Sequence, residues 1–334
     1  MSAPHNVKVL LKSRPTGWPT EANFDVLESA IPDAGPGEIL LRHHWLSLDP
    51  YMRGRMNDGK SYVPPVALGE VMCGEVVAEV IASNNPRFAI GDSVHGDFGW
   101  QLYSVRDGRG LRKLDPAVPA SANLSVVGMP GITAWVGLLD IGQPRRGETV
   151  VVSGAMGAVG SIVGQIAKIK GCRAVGIAGG ADKCRMVVEE MGFDACVDYK
   201  SADFRQHLKD ATPQGVDVYF DNVGGEILDN VLTRMNTHGR VAVCGLISQY
   251  NATEPYGIKA FRSILVNRLK VQGFIIFDHM KERGPIALAE LGPLVKEGKL
   301  KYRETIAEGI KNAPAAFLGL LRGANVGKQL VRLS

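Results

Sequence analysis

The chain has 334 residues, 45% hydrophobic and 22% charged, which reads as a soluble globular protein long enough for two domains and leaves no room for dominant disorder. Lys and Arg number 38 against 34 Asp and Glu, a net charge of +4, too mild an excess for a nucleic-acid-binding surface. Glycine is the outlier, with 40 residues where about 7% of a chain is usual, so the backbone must turn tightly or be closely approached at many places.

Residues 8–11, 38–43, 74–81 and 92–94 are short β-like runs separated by Pro-Gly, Asn-Pro and Gly-Asp signals, with no long amphipathic helix among them. Residues 1–126 are therefore expected to form a mostly β domain. From about residue 126 apolar strands alternate with helical patterns: 149–153, 162–170, 173–178, 183–191, 195–197, 204–208, 216–221, 227–235, 240–244 and 270–274. In the first helical pattern Ile162, Val163, Ile166 and Ile169 share one face. Such alternation predicts βαβ units, hence an α/β domain over 127–299 with a doubly wound parallel sheet covered on both faces. Residues 300–334 are expected to return to the first domain, ending in a β-like run at 327–333 whose sheet partner the sequence does not identify.

Cys73, Cys172, Cys184, Cys196 and Cys244 form no CxxC pair, their number is odd, and nothing at the N-terminus resembles a secretion signal. A reduced, cytoplasmic setting is expected. Two uncharged stretches, 116–139 and 149–167, are interrupted by prolines or by Gly, Ser and Gln, so no membrane span is expected.

The strongest local signal is VVVSGAMGAVGSIVGQIAK at 150–168, a strand that turns through Gly154, Gly157 and Gly160 directly into a helix. Gly157 puts no Cβ between this turn and a pyrophosphate, and the helix N-terminus offers N–H groups and a positive dipole. Gly160 lets the helix pack closely on the strand. Ala155 stands where the GxGxxG frame has its first glycine. The competing reading is a tight turn with no ligand. NAD enzymes place an acid at the tip of the next strand, but here that strand ends in Ala178, Gly179 and Gly180, followed by Lys183 and Arg185, with Tyr199 and Lys200 closing the third strand. A missing acid with cations nearby favours the 2′-phosphate of NADP. Asp182 reads as a helix N-cap, and the bland reading of Lys183 is a solvated lysine.

A mostly β domain ahead of a dinucleotide-binding domain suggests the medium-chain dehydrogenase/reductase arrangement, whose alcohol dehydrogenases carry zinc. Closely spaced cysteines for a structural zinc are missing. Glu70 stands where that superfamily's Gly-His-Glu motif has its histidine, and no cysteine occurs around Ser47, Leu48 and Asp49. His43, His44 and His95 make no ligand set with Cys73 and read as structural or surface residues. No metal is expected. Without a Lewis acid a simple ketone lacks its usual polariser. An enone or enal instead takes hydride at the β-carbon and delocalises charge onto the carbonyl oxygen, where one or two donors suffice. Tyr51, Tyr62, Tyr250 and Tyr256 lie in loop-like contexts and carry such a donor.

LSLDPYMRGRM at 46–56, SGAMGAVGSIVGQIAKIKGC at 153–172, YFDNVGGEILD at 219–229, CGLISQYN at 244–251 and NVGK at 325–328 together resemble the zinc-free prostaglandin reductase and alkenal double-bond reductase branch of that superfamily. The resemblance runs in order over nearly the whole chain. It implies a GroES-like β domain with a Rossmann domain, NADPH/NADP as cofactor, no zinc, and a homodimer. It also implies reduction of the carbon–carbon double bond of α,β-unsaturated aldehydes or ketones, 15-oxo-prostaglandin-like compounds included. By position, Gly157, Ala158, Val159 and Gly160 match the pyrophosphate turn, and Lys183 and Tyr199 the 2′-phosphate contacts. Asn222 matches a cofactor contact near the fourth strand's end. Cys244, Gly245, Leu246, Ile247, Ser248 and Tyr250 match the loop lining the nicotinamide ribose, Phe274, Ile275 and Ile276 the nicotinamide face, and Asn325 a late cofactor contact. Tyr51 resembles the substrate-side tyrosine and Tyr250 the residue near the carbonyl, which makes these two the catalytic candidates. Packing for Tyr51, loop anchoring for Tyr250 and helix capping for Asn222 are the competing readings, and Arg53 and Arg55 read as solvated. Met156 and Gly180 depart from the family's small or hydroxyl residues, and Gly180 implies a weaker phosphate grip. The alternatives are an NADPH-dependent quinone reductase, against which 46–56 speaks, and an NADPH-binding protein without turnover, against which the two tyrosines speak.

Overall fold

The early β-like runs are strands in the computed structural model, which describes residues 5–333. They are β1 (Asn6–Leu11), β2 (Phe24–Ser29), β3 (Ile39–Leu48), β4 (Glu75–Ser83), β5 (Ser93–Asp97), β6 (Tyr103–Arg106) and β7 (Arg112–Lys113), with a four-residue helix, α1 (Met52–Arg55), after β3. The alternating part runs α2 (Met129–Val136), β8 (Thr149–Ser153), α3 (Gly160–Ile169), β9 (Arg173–Ala178), α4 (Ala181–Glu189), β10 (Ala195–Asp198), α5 (Phe204–Ala211) and β11 (Val216–Asp221). It continues through α6 (Gly225–Leu232), β12 (Met235–Val243), α7 (Arg262–Val266), β13 (Lys270–Gly273) and α8 (Met280–Lys296). Last come β14 (Glu304–Glu308), α9 (Ala313–Leu321) and β15 (Lys328–Arg332). By contacts the chain divides into two units, one holding the residues up to Leu124 and those from Glu304 onward, the other Ser125–Arg303.

In the first unit β1 and β2 pair with each other, and a larger sheet runs β14-β15-β3-β4-β5-β7 with β6 on β3. The late β-like run thus finds its partners: β15 lies parallel to β14 and antiparallel to β3, with Gln329 opposite Leu48 and Leu330 opposite Ser47. Trp100 is fully buried, stacked on Phe24 at 5.6 Å and edge-on to Phe317 at 5.6 Å. Register shifts in β3 on either side of Leu41–His43 turn His43 into this core, where its Nε2 lies 2.8 Å from Ser104 Oγ. Burial drives the imidazole down to about 3. An exposed imidazole titrates near pH ~6.5, so the contribution of neutral His43 is complete above that pH and lost as pH falls towards about 3. Urea midpoints should therefore drop between pH 7 and pH 4.5, and His43→Gln, which keeps a partner for Ser104 but does not titrate, should show a smaller drop. An equal drop would assign the acid sensitivity to other groups.

The second unit holds an entirely parallel sheet in the order β10-β9-β8-β11-β12-β13. Counted along the chain this is 3-2-1-4-5-6, the doubly wound dinucleotide-binding order. All five residues of β8 are buried, as a central strand covered by helices on both faces requires. Two details differ from the sequence expectation. Ile169 is 48% exposed, because the buried part of α3 ends at Ala167. Helix α6 stops at Leu232, and β12 already starts at Met235, paired with Val216 across a register shift. Strand order reverses between β8 and β11, and in such folds the crevice beyond the strand ends at that point is where ligands bind.

Candidate functional site

Strands β8 and β11 end in Ser153 and Asp221, and these two residues tie the strand ends together. Ser153 Oγ donates to Asp221 Oδ1 at 3.0 Å and accepts the Asn222 N–H at 2.9 Å, while Asn222 Nδ2 donates to Ser153 O at 2.7 Å. The Tyr219 hydroxyl and the N–H groups of Val223 and Gly224 also donate to Asp221 Oδ1, at 2.8, 3.0 and 2.9 Å. Asp221 is completely buried, its Oδ2 makes no hydrogen bond among the described residues, and burial pushes its carboxyl above the usual range. Helix α6 begins with Gly224 at its N-cap, so Asn222 bridges strands and does not cap that helix.

Beyond Ser153 the chain turns at Gly154, whose φ of +62° is a left-handed conformation that glycine adopts without strain. A Cβ on Gly160 would fall 2.3 Å from Gly154 O, whereas one on Gly157 would meet only that oxygen, at 3.1 Å. Gly160 is therefore required by the turn itself, while Gly157, Ala158 and Val159, half-buried, leave the N-terminal end of α3 approachable. Ala155 is buried against Gly176 of β9, where a Cβ would come within 2.8 Å of the Ala155 methyl. The missing first glycine of the motif is thus matched by a glycine on the neighbouring strand. Gly164 meets the Phe193 ring and serves packing.

The loop after β12 folds over the end of β11. Cys244 and Gly245 donate to Asp221 O at 2.8 and 3.1 Å, Ile247 to Asn222 O at 3.3 Å, and Ser248 to Val223 O through both N–H (3.2 Å) and Oγ (2.6 Å). The Tyr250 oxygen accepts the Leu246 N–H at 3.3 Å. Burial pushes the Cys244 thiol up to about 12. Tyr256 is tied elsewhere: its hydroxyl donates to Asp229 Oδ2 at 2.6 Å, and that carboxylate pushes the phenol up to about 12. Phe274 follows β13, its N–H donating to Val243 O at 3.3 Å, while its ring packs edge-on to Phe220 at 6.2 Å. Its side chain belongs to the core, and Ile275 and Ile276 open the next short turn.

A cationic corner forms at the tips of β9 and β10. Lys183 is half-buried in the first turn of α4, and burial together with the neighbouring Lys200 ammonium holds it below the ordinary lysine range. The Tyr199 ring lies against Gly179, where a Cβ would come within 2.9 Å of it. Asp198 accepts the N–H groups of Gly180 at 2.8 Å and Lys200 at 2.9 Å. The helix N-cap is Gly180, with φ +98°, so Asp182 does not cap α4 as the sequence suggested. It is an exposed first-turn residue paired with Arg185 at 2.6 Å.

The remaining candidates lie in the first unit. Tyr51 precedes α1 and packs on the core. Burial, then Cys73, Asp49, Asp97 and Glu75, hold its phenol far above the usual tyrosine range, so it keeps its proton. Arg53 is buried, not solvated: its guanidinium donates to Gly17 O at 2.7 Å and Asn57 Oδ1 at 2.5 Å. Asn325 Nδ2 donates to Gly327 O at 2.7 Å in the turn before β15. No group of three or more His, Cys, Asp or Glu side chains able to hold a metal occurs among the described residues.

Family models for an N-terminal domain of oxidoreductase and for a zinc-binding dehydrogenase match residues 8–114 and 158–291. The NADPH-dependent curcumin reductase of Escherichia coli is 49% identical over 98% of this chain and 97% of its own length. The chain belongs to the prostaglandin reductase and alkenal reductase family of medium-chain dehydrogenase/reductases. Prostaglandin reductase 1 of Rattus norvegicus is 44% identical over 96% of the chain and 97% of its own length. The crystal structure of CurA from Vibrio vulnificus in complex with NADPH superposes with a TM-score of 0.94 at 48% identity, over 98% of this chain and 99% of that one. Sequence reasoning counted Lys200 among the cations near Lys183 but assigned the 2′-phosphate only to Lys183 and Tyr199. It passed over Asp198, Ser153 and Asp221, whose roles depend on which strands are neighbours.

Proposed function

We propose that the chain is an NADPH-dependent reductase of the carbon–carbon double bond of α,β-unsaturated aldehydes and ketones. The observation that carries the reading is the second unit's switch point, with the glycine turn on one side and the Lys183–Lys200 corner at the tips of β9 and β10. The residues fit a phosphorylated dinucleotide: the turn leaves space over Gly157, and Lys183, half-buried, feels the positive charge of Lys200, a repulsion that an anion would relieve. The names of the relatives and the NADPH of the Vibrio structure support the same choice.

Gly157, Ala158, Val159 and Gly160 would hold the pyrophosphate, and Lys183 and Tyr199, with Lys200, the 2′-phosphate. Asn222 and the loop Cys244–Tyr250 would hold the nicotinamide ribose, the backbone of Phe274, Ile275 and Ile276 the nicotinamide, and Asn325 a further cofactor contact. Bound NADPH supplies hydride to the substrate's β-carbon. Tyr250 or Tyr51 would donate to the carbonyl oxygen as negative charge gathers there, and the α-carbon would take its proton from solvent or through a ribose relay. Chelator-treated protein given NADPH and a medium-chain trans-2-alkenal should yield the saturated aldehyde, identified by mass spectrometry and NMR. An allylic alcohol would mean that the carbonyl carbon takes the hydride and would overturn the reading; consumption of NADPH only with quinones would favour a quinone reductase.

Lys183→Ala should weaken NADPH about 10–100-fold, the range of a hydrogen bond to a charged group, and barely affect NADH. Equal losses for the two cofactors would refute the 2′-phosphate assignment. The chain is also proposed to act as a homodimer in a reducing, cytoplasmic setting. Edge strand β13 follows in the chain after Phe261, Leu265 and Val266, which are 65%, 78% and 49% exposed, a pattern that invites a second copy. Light scattering behind size exclusion should give twice the mass of one chain; a monomer would set this aside.

A further inference from the structure

Asp49 of the segment LSLDPYMRGRM and Lys328 of NVGK are buried charged residues that the proposed chemistry does not use. The fold brings them together: antiparallel pairing sets Gln329 of β15 opposite Leu48 of β3, so the next residues outward, Lys328 and Asp49, fall side by side. Lys328 Nζ is 3.0 Å from Asp49 Oδ1 and donates to Leu48 O at 2.5 Å and Gln329 O at 3.1 Å. An ammonium has three N–H groups, and here they meet three acceptors. Ser47 Oγ donates to Asp49 Oδ2, so both oxygens of this carboxylate are held from inside the sheet. Asp49 also opens the turn that presents Tyr51. Its carbonyl accepts the Met52 N–H at 3.1 Å, Pro50 O accepts the Arg53 N–H at 3.0 Å, and Tyr51 O accepts the Arg55 N–H at 3.3 Å. Pro50 fixes its own φ, and Met52 is fully buried, so Tyr51 follows the Asp49 anchor with little backbone freedom between them.

We propose that Lys328 is a positioning residue: through Asp49, with Ser47, it sets the angle at which the turn into α1 presents the Tyr51 hydroxyl to the substrate carbonyl. The proposal rests on the reading of Tyr51 as a donor to that carbonyl. Lys328 acts through Tyr51 and not on the substrate. A buried ion pair is a poor choice for stability alone, because an apolar pair of similar volume often does as well or better. What this pair adds is direction, since its donors and acceptors are aimed at fixed partners two residues before the tyrosine. Direction matters for rate: a misplacement of about 1 Å at a group that must meet a reacting atom lowers turnover up to about 10²-fold.

Lys328→Met combined with Asp49→Leu removes the aimed bonds without stranding a charge. Four full-length proteins would be compared: the parent, Tyr51→Phe, this double variant, and the triple variant. Each would be measured for its single-turnover rate of NADPH oxidation with a medium-chain trans-2-alkenal, its NADPH dissociation constant and its urea midpoint. The double variant is expected to keep a midpoint and an NADPH affinity close to the parent's while its single-turnover rate falls about 10–100-fold. In the Tyr51→Phe background the same two substitutions should lower the rate by less than about threefold, because residues acting through one group are not additive. A parental rate in the double variant beside a slow Tyr51→Phe overturns the positioning role and leaves Tyr51 as a donor. Equal losses in both backgrounds overturn it too, since the effect then does not pass through Tyr51. A parental rate in Tyr51→Phe removes the donor reading, and the proposal falls with it. Should the double variant not fold, Ser47→Ala takes its place, keeping the ion pair but freeing Asp49 Oδ2. Its rate should fall about threefold or more, as loss of a hydrogen bond to a charged group implies, and only where Tyr51 is present; no fall overturns the proposal.

Discussion

Lys328→Met is expected to cost about 3–5 kcal/mol of folding stability, the price of leaving a buried carboxylate without its cation. Lys328 and Asp49 are 1% and 5% exposed, with Nζ 3.0 Å from Asp49 Oδ1. The same ammonium donates to Leu48 O at 2.5 Å and Gln329 O at 3.1 Å, and Ser47 Oγ donates to the other Asp49 oxygen. The pair lies where β15 meets the end of β3, so its loss loosens the pairing that brings the chain's last strand into the first sheet. Urea unfolding at pH 7 gives the number. Replacing both members, Lys328→Met with Asp49→Leu, should recover much of the loss, because an apolar pair leaves no stranded charge. A loss for Lys328→Met alone below about 1 kcal/mol, the range of surface pairs, would show that water reaches Asp49.

Tyr250→Phe is expected to lower turnover about 10²–10³-fold, the usual effect of removing a donor aimed at developing oxyanion charge, with NADPH affinity nearly unchanged. The structure sharpens this test, because the Tyr250 oxygen also accepts the Leu246 N–H, so the phenol can act as an anchor for the loop Cys244–Tyr250. An anchor lost would weaken NADPH and leave kcat alone; a donor lost would do the reverse. Tyr51→Phe is the companion measurement. Its phenol is held protonated by burial and by surrounding acidic groups, and unchanged turnover in that variant would leave Tyr250 as the sole donor.

The fold class was legible because local patterns carry it: apolar strands alternating with helices require crossover connections, and crossovers require a parallel sheet. Strand order was not legible, since nothing in 149–153 or 216–221 says that they are neighbours. That adjacency creates the Ser153–Asp221–Asn222 network, so sequence reasoning named Asn222 through a resemblance and missed the two residues that hold it. The glycine turn was readable for the opposite reason, being local and built on positions where a Cβ meets backbone. Arg53 was misread because its partners, Gly17 and Asn57, lie in loops that carry no pattern. Ile169 was misread because helical periodicity does not say where the covering layer ends.

The tip of β9 bears on how freely this protein's descendants can change coenzyme. The acid that selects for NAD would have to enter at Gly179 or Gly180. At Gly179 a side chain runs into the Tyr199 ring at 2.9 Å; at Gly180 the backbone sits at φ +98°, where side-chain-bearing residues are strained. Asp198, the carboxylate already nearby, is committed to the two N–H groups that shape this turn. With the 2′-phosphate placed as proposed, a switch of coenzyme is several coordinated substitutions away, and a line of descent from this sequence would inherit its cofactor through the packing of one turn as much as through the charge of one lysine.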